Sequence, residues 1–144
     1  MRAQGQHDLP IPVQRALAII HARYSEELCL GEVAEEVSLS KHHFSRLFRR
    51  SVGVSFQEYL AATRVERACR TLASSPRQRV AEVAFDAGFG SVRNMEKHFR
   101  RLLGVSPTEY REVGEKRAND LAQLVDDNQG EQDSSRSAAA SALY

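Results

Sequence analysis

The sequence predicts an all-α domain of about seven helices, in which two two-helix units are joined by a long connecting helix. Apolar residues recur at three- and four-residue steps along most of the chain, which is the spacing of an amphipathic helix. No segment alternates apolar and polar residues as a half-buried strand would. One segment also occurs twice, and the length of 144 residues suits a single domain with tails.

The repeat is the most informative of these features. Residues 40–59 read SKHHFSRLFRRSVGVSFQEY and residues 91–110 read SVRNMEKHFRRLLGVSPTEY, and at an offset of 51 nine of the 20 positions are identical. Upstream, Glu32-Val33-Ala34 reappears as Glu82-Val83-Ala84 at an offset of 50, so the second copy has one extra residue near Gly88. Because helical spacing is kept on both sides of that residue, the repeat is predicted to be a two-helix unit with a variable turn.

The first half of the chain is predicted to contain a lead, one helix and the first unit. Residues 1–12 contain glycine and two prolines, and we expect a flexible lead. Residues 13–25 carry apolar side chains on one helical face. The first unit, residues 30–52, consists of a short helix, a turn and a second helix, with Ser40 as its N-cap and Gly53 at its C-terminus.

The second half repeats this plan after a connecting helix. That helix is predicted over residues 55–73, and it opens with a capping box formed by Ser55 and Glu58. The second unit follows at residues 79–103. Residues 106–109, Ser-Pro-Thr-Glu, form another capping box with proline in the first turn, so they predict the start of a last helix.

The net charge of +1 conceals a segregation of charge along the chain. Residues 13–117 hold 18 Lys/Arg and 13 Asp/Glu, a net of +5, whereas residues 118–144 hold one Arg and five acids, a net of −4. We expect residues 13–117 to fold and residues 118–144 to be a disordered, acidic, Ser/Ala-rich tail. A basic run is usually a solvated helix face, but here it occurs on the same helix of both copies, which favours double-stranded DNA as the partner.

Each unit has the organisation of a helix-turn-helix, whose second helix lies in the major groove with its N-terminal residues at the base edges. The candidate base-reading residues are the outward positions near the two helix starts: Lys41, His42, Ser45, Arg46, Val92, Arg93, Glu96 and Lys97. Candidate phosphate contacts are the helix caps and the arginines further along: Ser40, Arg49, Arg50, Ser91, Arg100 and Arg101. Glu96 has an alternative interpretation, a surface salt bridge to Arg93 or Arg100.

The connecting helix has a length that suits two-groove binding. A helix of about 19 residues is about 28 Å long, and successive major grooves on one side of DNA are about 34 Å apart. We therefore expect a monomer to read a bipartite, non-palindromic site.

Other functional classes are disfavoured by the residues. We find no nucleophile–base pair, phosphate-binding loop or metal-ligand spacing, so we expect no enzyme activity, no metal and no cofactor. Cys29 and Cys69 are far apart and are expected to be reduced thiols in or near the core. No run approaches the roughly 20 apolar residues of a membrane helix, and no signal peptide is recognised. The remaining alternative is a helical protein-interaction module without specific DNA binding.

One stretch of the second unit carries a family resemblance. It comprises Val83-Ala84, Gly88-Phe89, Phe99-Arg100-Arg101, Gly104-Val105-Ser106-Pro107 and Tyr110-Arg111, with Arg64, Ala68 and Leu72 in the connecting helix. On these residues, positions 13–113 resemble the DNA-binding domain of the AraC/XylS-type bacterial transcription regulators. The resemblance implies seven helices, two helix-turn-helix units, and promoter binding in the bacterial cytoplasm (nucleoid) by an activator that contacts RNA polymerase.

The resemblance also implies base-reading positions, and the chain departs from the family pattern in two respects. By position, base reading falls on His42, Ser45, Arg46, Val92, Arg93 and Lys97. Met95 stands where the family often has an aromatic residue or leucine. Many members have a ligand-sensing domain, commonly N-terminal, but only about 12 residues precede the first helix here. The chain therefore resembles either the stand-alone members or the excised DNA-binding half of a larger regulator.

Overall fold

The computed structural model describes residues 8–113, and within them every regular element is an α-helix. The helices are α1 (Ile11–Arg23), α2 (Leu30–Glu36), α3 (Lys41–Val52), α4 (Phe56–Ser74), α5 (Val80–Asp86), α6 (Val92–Leu103) and α7, which begins at residue 107 and continues to residue 113. The prediction of an all-α domain with about seven helices is confirmed. The expected disordered tail, residues 118–144, and most of the expected flexible lead lie outside the described residues.

Helix α1 begins two residues earlier than predicted. It starts at Ile11, with Pro10 as its N-cap and Pro12 in its first turn. Proline is tolerated there because the first N–H groups of a helix have no partner within the helix. The two prolines therefore lie at the start of α1. The sequence pattern instead predicts a flexible lead up to residue 12.

The fold divides into two compact units between Thr63 and Arg64, inside α4. In the first unit the core centres on three phenylalanines, Phe44 and Phe48 of α3 and Phe56 of α4, whose ring centroids lie 5.7–5.9 Å apart. Each is at most 2% exposed. Full burial of such a side chain contributes about 1.5–3 kcal/mol, so this cluster is a major part of what fixes α3 on its unit.

The second unit has a less aromatic core on the same plan. At the repeat offset of 51, Met95 replaces Phe44 and Pro107 replaces Phe56. Met95 and Phe99 are fully buried together with Val65 and Val83. Tyr110 of α7 packs its ring at 6.0 Å from the ring of Phe99. The apolar face of α6 is therefore buried as completely as that of α3.

The turns of the two units share one backbone geometry. Ser38 and Gly88 both have positive φ, 63° and 91°. The next residues, Leu39 and Phe89, donate their N–H groups to carbonyls five residues back, at 2.9 Å in each copy. The extra residue of the second copy is Gly90, which also has positive φ, 79°. It lies directly before the helix cap, so the turn is lengthened without any change in either helix.

Both cysteines are free thiols, as expected, but only one lies in a core. Cys69 is buried, and burial raises its pKa to about 11. Cys29 is exposed at the start of α2, so the prediction that it packs in or near the core is wrong. Its place is the N-cap position of a short helix, which faces solvent.

Candidate nucleic-acid interface

Helices α3 and α6, the second helices of the two units, are the predicted recognition helices, and both begin with the same side-chain cap. Ser40 Oγ accepts the N–H of His43 at 3.1 Å, and Ser91 Oγ accepts the N–H of Asn94 at 3.1 Å. Both predicted N-caps are therefore confirmed. Because each serine oxygen already satisfies a helix N–H, a phosphate contact at these positions would use the hydroxyl hydrogen or the remaining free N–H groups.

Both recognition helices also end in the same way. Gly53 and Gly104 adopt left-handed conformations, with φ of 97° and 76°, and their N–H groups bond the carbonyls of Arg49 and Arg100. Glycine is favoured here because a Cβ is disfavoured at positive φ. The fixed start and end give both helices the same length of 12 residues.

On α3, three basic or titratable side chains share the face opposite the core. His42, Arg46 and Arg49 lie at steps of four and three residues and are all exposed, whereas Phe44 and Phe48 are fully buried. Residues at these steps lie one above the other on a helix. We call these three residues the outer row of α3.

The same row occurs on α6. Arg93, Lys97 and Arg100 are exposed, opposite the buried Met95 and Phe99. The three members of this outer row are two arginines and a lysine, so all are basic side chains. The two outer rows therefore occupy equivalent helix positions, and the residues differ at two of the three positions.

The other predicted base-reading residues lie at the edges of these rows. Lys41 is exposed, Ser45 is half-buried and Glu96 is half-buried. Val92 is partly buried and packs against the second core, so much of its side chain is engaged in packing. His42 and Arg46 thus lie nearer the middle of the exposed face of α3 than Ser45 does. Arg93 and Lys97 likewise lie nearer the middle of the exposed face of α6 than Glu96 or Val92.

Glu96 forms no salt bridge among residues 8–113, to Arg93, Arg100 or any other residue. Arg100 instead approaches Glu109, with its Nη2 atom 3.6 Å from Glu109 Oε1. Glu109 comes from the capping box of α7, which gives it a fixed position. The alternative interpretation of Glu96 as a salt-bridge partner of Arg93 or Arg100 therefore has no contact in its favour among residues 8–113.

The first unit contains the same contact at the equivalent residues. Arg49 Nη2 lies 3.6 Å from Glu58 Oε1, and Glu58 belongs to the capping box of α4. Both arginines remain mostly exposed, 64% for the side chain of Arg49 and 60% for that of Arg100. Each can therefore reach solvent while one of its nitrogens faces a carboxylate.

The remaining predicted phosphate contacts, Arg50 and Arg101, are both exposed. Arg101 Nη2 lies 3.0 Å from Nδ1 of His98, whose ring stacks on Phe89 at a centroid distance of 5.8 Å. Burial, together with the positive charges of Arg101, Lys97 and Arg64, lowers the pKa of His98 below its ordinary value. The neutral imidazole is thus favoured, which suits an Nδ1 atom that accepts from an arginine.

Two first-turn residues were absent from the predicted site. Asn94 Nδ2 donates to the carbonyl of Phe89 at 3.1 Å, so this side chain fastens the start of α6 to its turn. His43, its counterpart at the repeat offset, is exposed. Aligning the two copies could have identified this pair, because a polar side chain stands at the same helix position in both.

Within residues 8–113, no group of three or more His, Cys, Asp or Glu side chains is arranged to hold a metal ion. In the same part of the chain, no helix combines the length and apolar content needed to cross a membrane.

Residues 33–112 match the family described as a helix-turn-helix domain. The Msm operon regulatory protein of Streptococcus mutans is 29% identical over 99 residues, which are 69% of this chain and 35% of that protein. The melibiose operon regulatory protein of Escherichia coli is 29% identical over 105 residues, 73% of this chain and 34% of that protein. The chain thus spans about a third of the length of these curated relatives.

Solved structures agree with these matches. The C-terminal domain of AraT, a response regulator from Geobacillus stearothermophilus, is 31% identical with a TM-score of 0.70, and the match covers 74% of this chain and 88% of that one. The DNA-binding domain of AdpA, a global transcriptional factor solved in complex with a target DNA, is 33% identical with a TM-score of 0.69. That match covers 74% of this chain and 95% of the AdpA domain.

Proposed function

This chain belongs to the AraC/XylS-type family of helix-turn-helix proteins, and we propose that it is a sequence-specific DNA-binding activator of transcription. The observation that carries the proposal is the outer row, which occurs once in each unit on a helix with the same caps and the same buried face. A surface repeated in this way suits a target that is itself periodic and negatively charged, as duplex DNA is.

Base reading is assigned to the N-terminal part of each outer row. Arg46, Arg93 and Lys97 are exposed donors that suit the O6 and N7 acceptors of guanine. His42 lies one turn before Arg46 on the same face and can donate or accept according to its tautomer. Lys41, Ser45, Val92 and Glu96 flank these positions and are assigned secondary contacts.

Backbone contacts are assigned to the C-terminal parts of the two helices. Arg49, Arg50, Arg100 and Arg101 are exposed and lie beyond the base-reading residues. Contacts to phosphate carry no sequence information directly, but they fix the register of the helix on DNA and give binding its dependence on salt. The capped helix starts at Ser40 and Ser91 are assigned the same role through their free N–H groups.

We further propose that one monomer reads two successive major grooves. Support comes from the different outer rows, His42–Arg46 in one unit and Arg93–Lys97 in the other, because unlike readers require unlike half-sites. The 19-residue length of α4 is of the order that such a site requires. A homodimer on a palindrome would need only one such reader per chain.

Contact with RNA polymerase is assigned to a surface outside the basic rows. Phe85 on α5 is 75% exposed, and its neighbours Glu82 and Asp86 are also exposed. An acidic surface is unsuited to DNA phosphates, and an exposed phenylalanine is typical of a protein contact. The first unit has Glu35 at the equivalent position, so this feature belongs to the second unit alone.

Selection of bound duplexes from a random pool tests the DNA-binding proposal. We expect two short motifs about one helical turn apart. Running the selection in parallel with Arg46→Ala and Arg93→Ala should weaken a different half of the motif in each case. A single motif lost in only one variant would contradict two-groove reading, and the absence of any enrichment would favour the protein-interaction alternative.

Reconstituted transcription on the selected site tests the polymerase contact. Phe85→Ser should keep DNA affinity unchanged and reduce the activated transcript, because the side chain is exposed and lies outside the basic rows. Glu35→Ser, at the equivalent position of the first unit, is the matched control and should leave activation unchanged. Equal activation by all three proteins would contradict this assignment.

A further inference from the structure

We propose that Glu58 and Glu109 are positioning residues that hold Arg49 and Arg100 in place for the DNA backbone. This inference rests on the proposed function, in which the two arginines contact phosphate. It gives the capping boxes of α4 and α7 a second role in addition to starting their helices.

The position of each carboxylate is set by the backbone of its own helix. Glu58 Oε1 accepts the N–H of Ser55 at 3.1 Å, while the N–H of Glu58 donates to Ser55 Oγ at 3.1 Å. Glu109 and Ser106 form the same two bonds at the same distances. Bonds to Ser106 and the charge of Arg100 lower the pKa of Glu109, so its charged form is favoured.

The oxygen that completes each capping box also faces the arginine. Glu58 Oε1 lies 3.6 Å from Arg49 Nη2, and Glu109 Oε1 lies 3.6 Å from Arg100 Nη2. The contact therefore joins the end of each outer row to the helix that follows it. Helix capping alone needs no such partner, because a capping box is complete with its two serine–glutamate bonds.

Such a contact restricts the arginine side chain but leaves some of its N–H donors available. An arginine has five N–H donors in a rigid fork, so one nitrogen directed at a carboxylate leaves others for a phosphate oxygen. A long, free side chain loses rotamer entropy when it binds DNA. That loss on binding is smaller if the carboxylate already restricts the arginine in the free protein. Arg50 and Arg101, one position further on, have no equivalent carboxylate contact among residues 8–113.

Positioning and simple charge make opposite predictions for the loss of the carboxylate. A negative charge near phosphates repels them, so its removal alone should tighten DNA binding. If instead Glu58 holds Arg49 for the backbone, Glu58→Gln should weaken binding although it removes a negative charge. Glutamine also fits the capping box, so the variant keeps the bond to Ser55.

A double-mutant cycle on the full chain tests the proposal. The four proteins are wild type, Glu58→Gln, Arg49→Ala and the double variant, and the probe is a duplex from the selection described above. We expect Glu58→Gln to weaken binding by about threefold or more in the wild-type background and to cause no loss when Arg49 is absent. A second cycle with Glu109→Gln and Arg100→Ala should give the same pattern, and it provides an independent test should either first-unit variant fold poorly.

The matched control is Glu66→Gln. Glu66 also pairs with an arginine of α4, Arg70 at 3.8 Å, but the pair is an ordinary contact within one helix. The Glu66→Gln variant should bind DNA as tightly as wild type. Thermal unfolding of every variant, measured without DNA, separates a loss of folding from a loss of positioning.

The outcomes separate this inference from the proposed function. If the Arg49→Ala and Arg100→Ala variants bind DNA as tightly as wild type and with the same salt dependence, the phosphate role is overturned and positioning falls with it. If they weaken binding while the glutamine variants bind equally or more tightly, the positioning role alone is overturned. A loss from Glu58→Gln that persists without Arg49 would also reject it, because the effect would not act through the arginine.

Discussion

Replacing Ser38 by glycine should stabilise the protein, although it removes a side chain. Ser38 has φ of 63° in the turn between α2 and α3, whereas its counterpart in the second unit is Gly88. A left-handed conformation costs an L-residue roughly 1–2 kcal/mol, which glycine avoids. Glycine also has a larger conformational entropy in the unfolded state, and this reduces the gain in stability by roughly 0.5–1 kcal/mol. The net expectation for Ser38→Gly is therefore a stabilisation of about 0–1.5 kcal/mol, with a midpoint of about 0.75 kcal/mol.

The reverse change at the second turn should be more harmful. Gly88 has φ of 91°, which is further from the left-handed minimum near +57° that other residues adopt. Gly88→Ser should therefore destabilise the protein by about 1 kcal/mol or more. The two substitutions are matched, because each copies into one unit the residue that the other unit carries at the same turn.

Urea unfolding followed by circular dichroism measures both effects. For a domain of this size a change of about 1 kcal/mol moves Tm by roughly 4–8 °C, so thermal scans should agree in sign. Ser38→Ala is the control, since it removes the hydroxyl and keeps the Cβ, and it should not reproduce the gain. A loss of stability in Ser38→Gly, or an equal gain in Ser38→Ala, would refute the argument that φ determines the preference for glycine.

Three further predictions concern binding and pH. Arg46→Ala and Arg93→Ala should each reduce the free energy of binding to the specific site by about 1–3 kcal/mol and relax its sequence preference. Arg50→Ala should weaken binding to all duplexes alike and reduce the slope of log affinity against log salt concentration by about 0.9. Equal effects of all three variants on specific and random DNA, in competition binding assays, would contradict the assignment. Because the pKa of His98 is lowered in the folded state, the unfolded chain takes up the proton first, and stability should fall as pH drops from the ordinary histidine value of 6.5 towards the folded value. His98→Leu, which copies the first unit's residue, should reduce that slope in unfolding measured from pH 7 to 5, and an unchanged slope would contradict it. Deletion of the acidic residues 118–144 should tighten DNA binding at low salt in a titration, and an unchanged affinity would show that the tail does not compete with DNA.

The elements that the sequence predicted well are those encoded by short-range patterns. Ser40 and Ser91 as N-caps, Gly53 and Gly104 as C-terminal glycines, and the capping box at Ser55 are all present. Each depends on residues within one or two turns of each other, so spacing alone carries the information. The buried faces of α3 and α6 followed from periodicity for the same reason.

The features that sequence reasoning missed depend on contacts between elements. Arg49 and Glu58 are nine residues apart on different helices, and only the angle between those helices decides that they meet. Val92 is predicted to contact a base, but part of its side chain packs against the second core. The alternative salt bridge of Glu96 was drawn from spacing along α6 alone, whereas the carboxylate that Arg100 contacts lies on the next helix. No local pattern encodes such a choice.

The two units share some features and differ in others, and the proposed reading of an asymmetric site depends on both. The features that set the length and orientation of a recognition helix within its unit are the same in both: the serine cap, the left-handed glycine and the arginine–glutamate contact. The features that differ are the turn, with its added Gly90, and the residues of the outer row that stand nearest the helix start. Because the two units share their helix caps and their arginine–glutamate contact, the proposed function predicts that His42→Arg, which copies Arg93, changes base preference in the first unit with little effect on stability. Selection with His42→Arg/Arg46→Lys tests this: the first half-motif should shift towards the second, and an unchanged motif would show that readout lies outside the outer row.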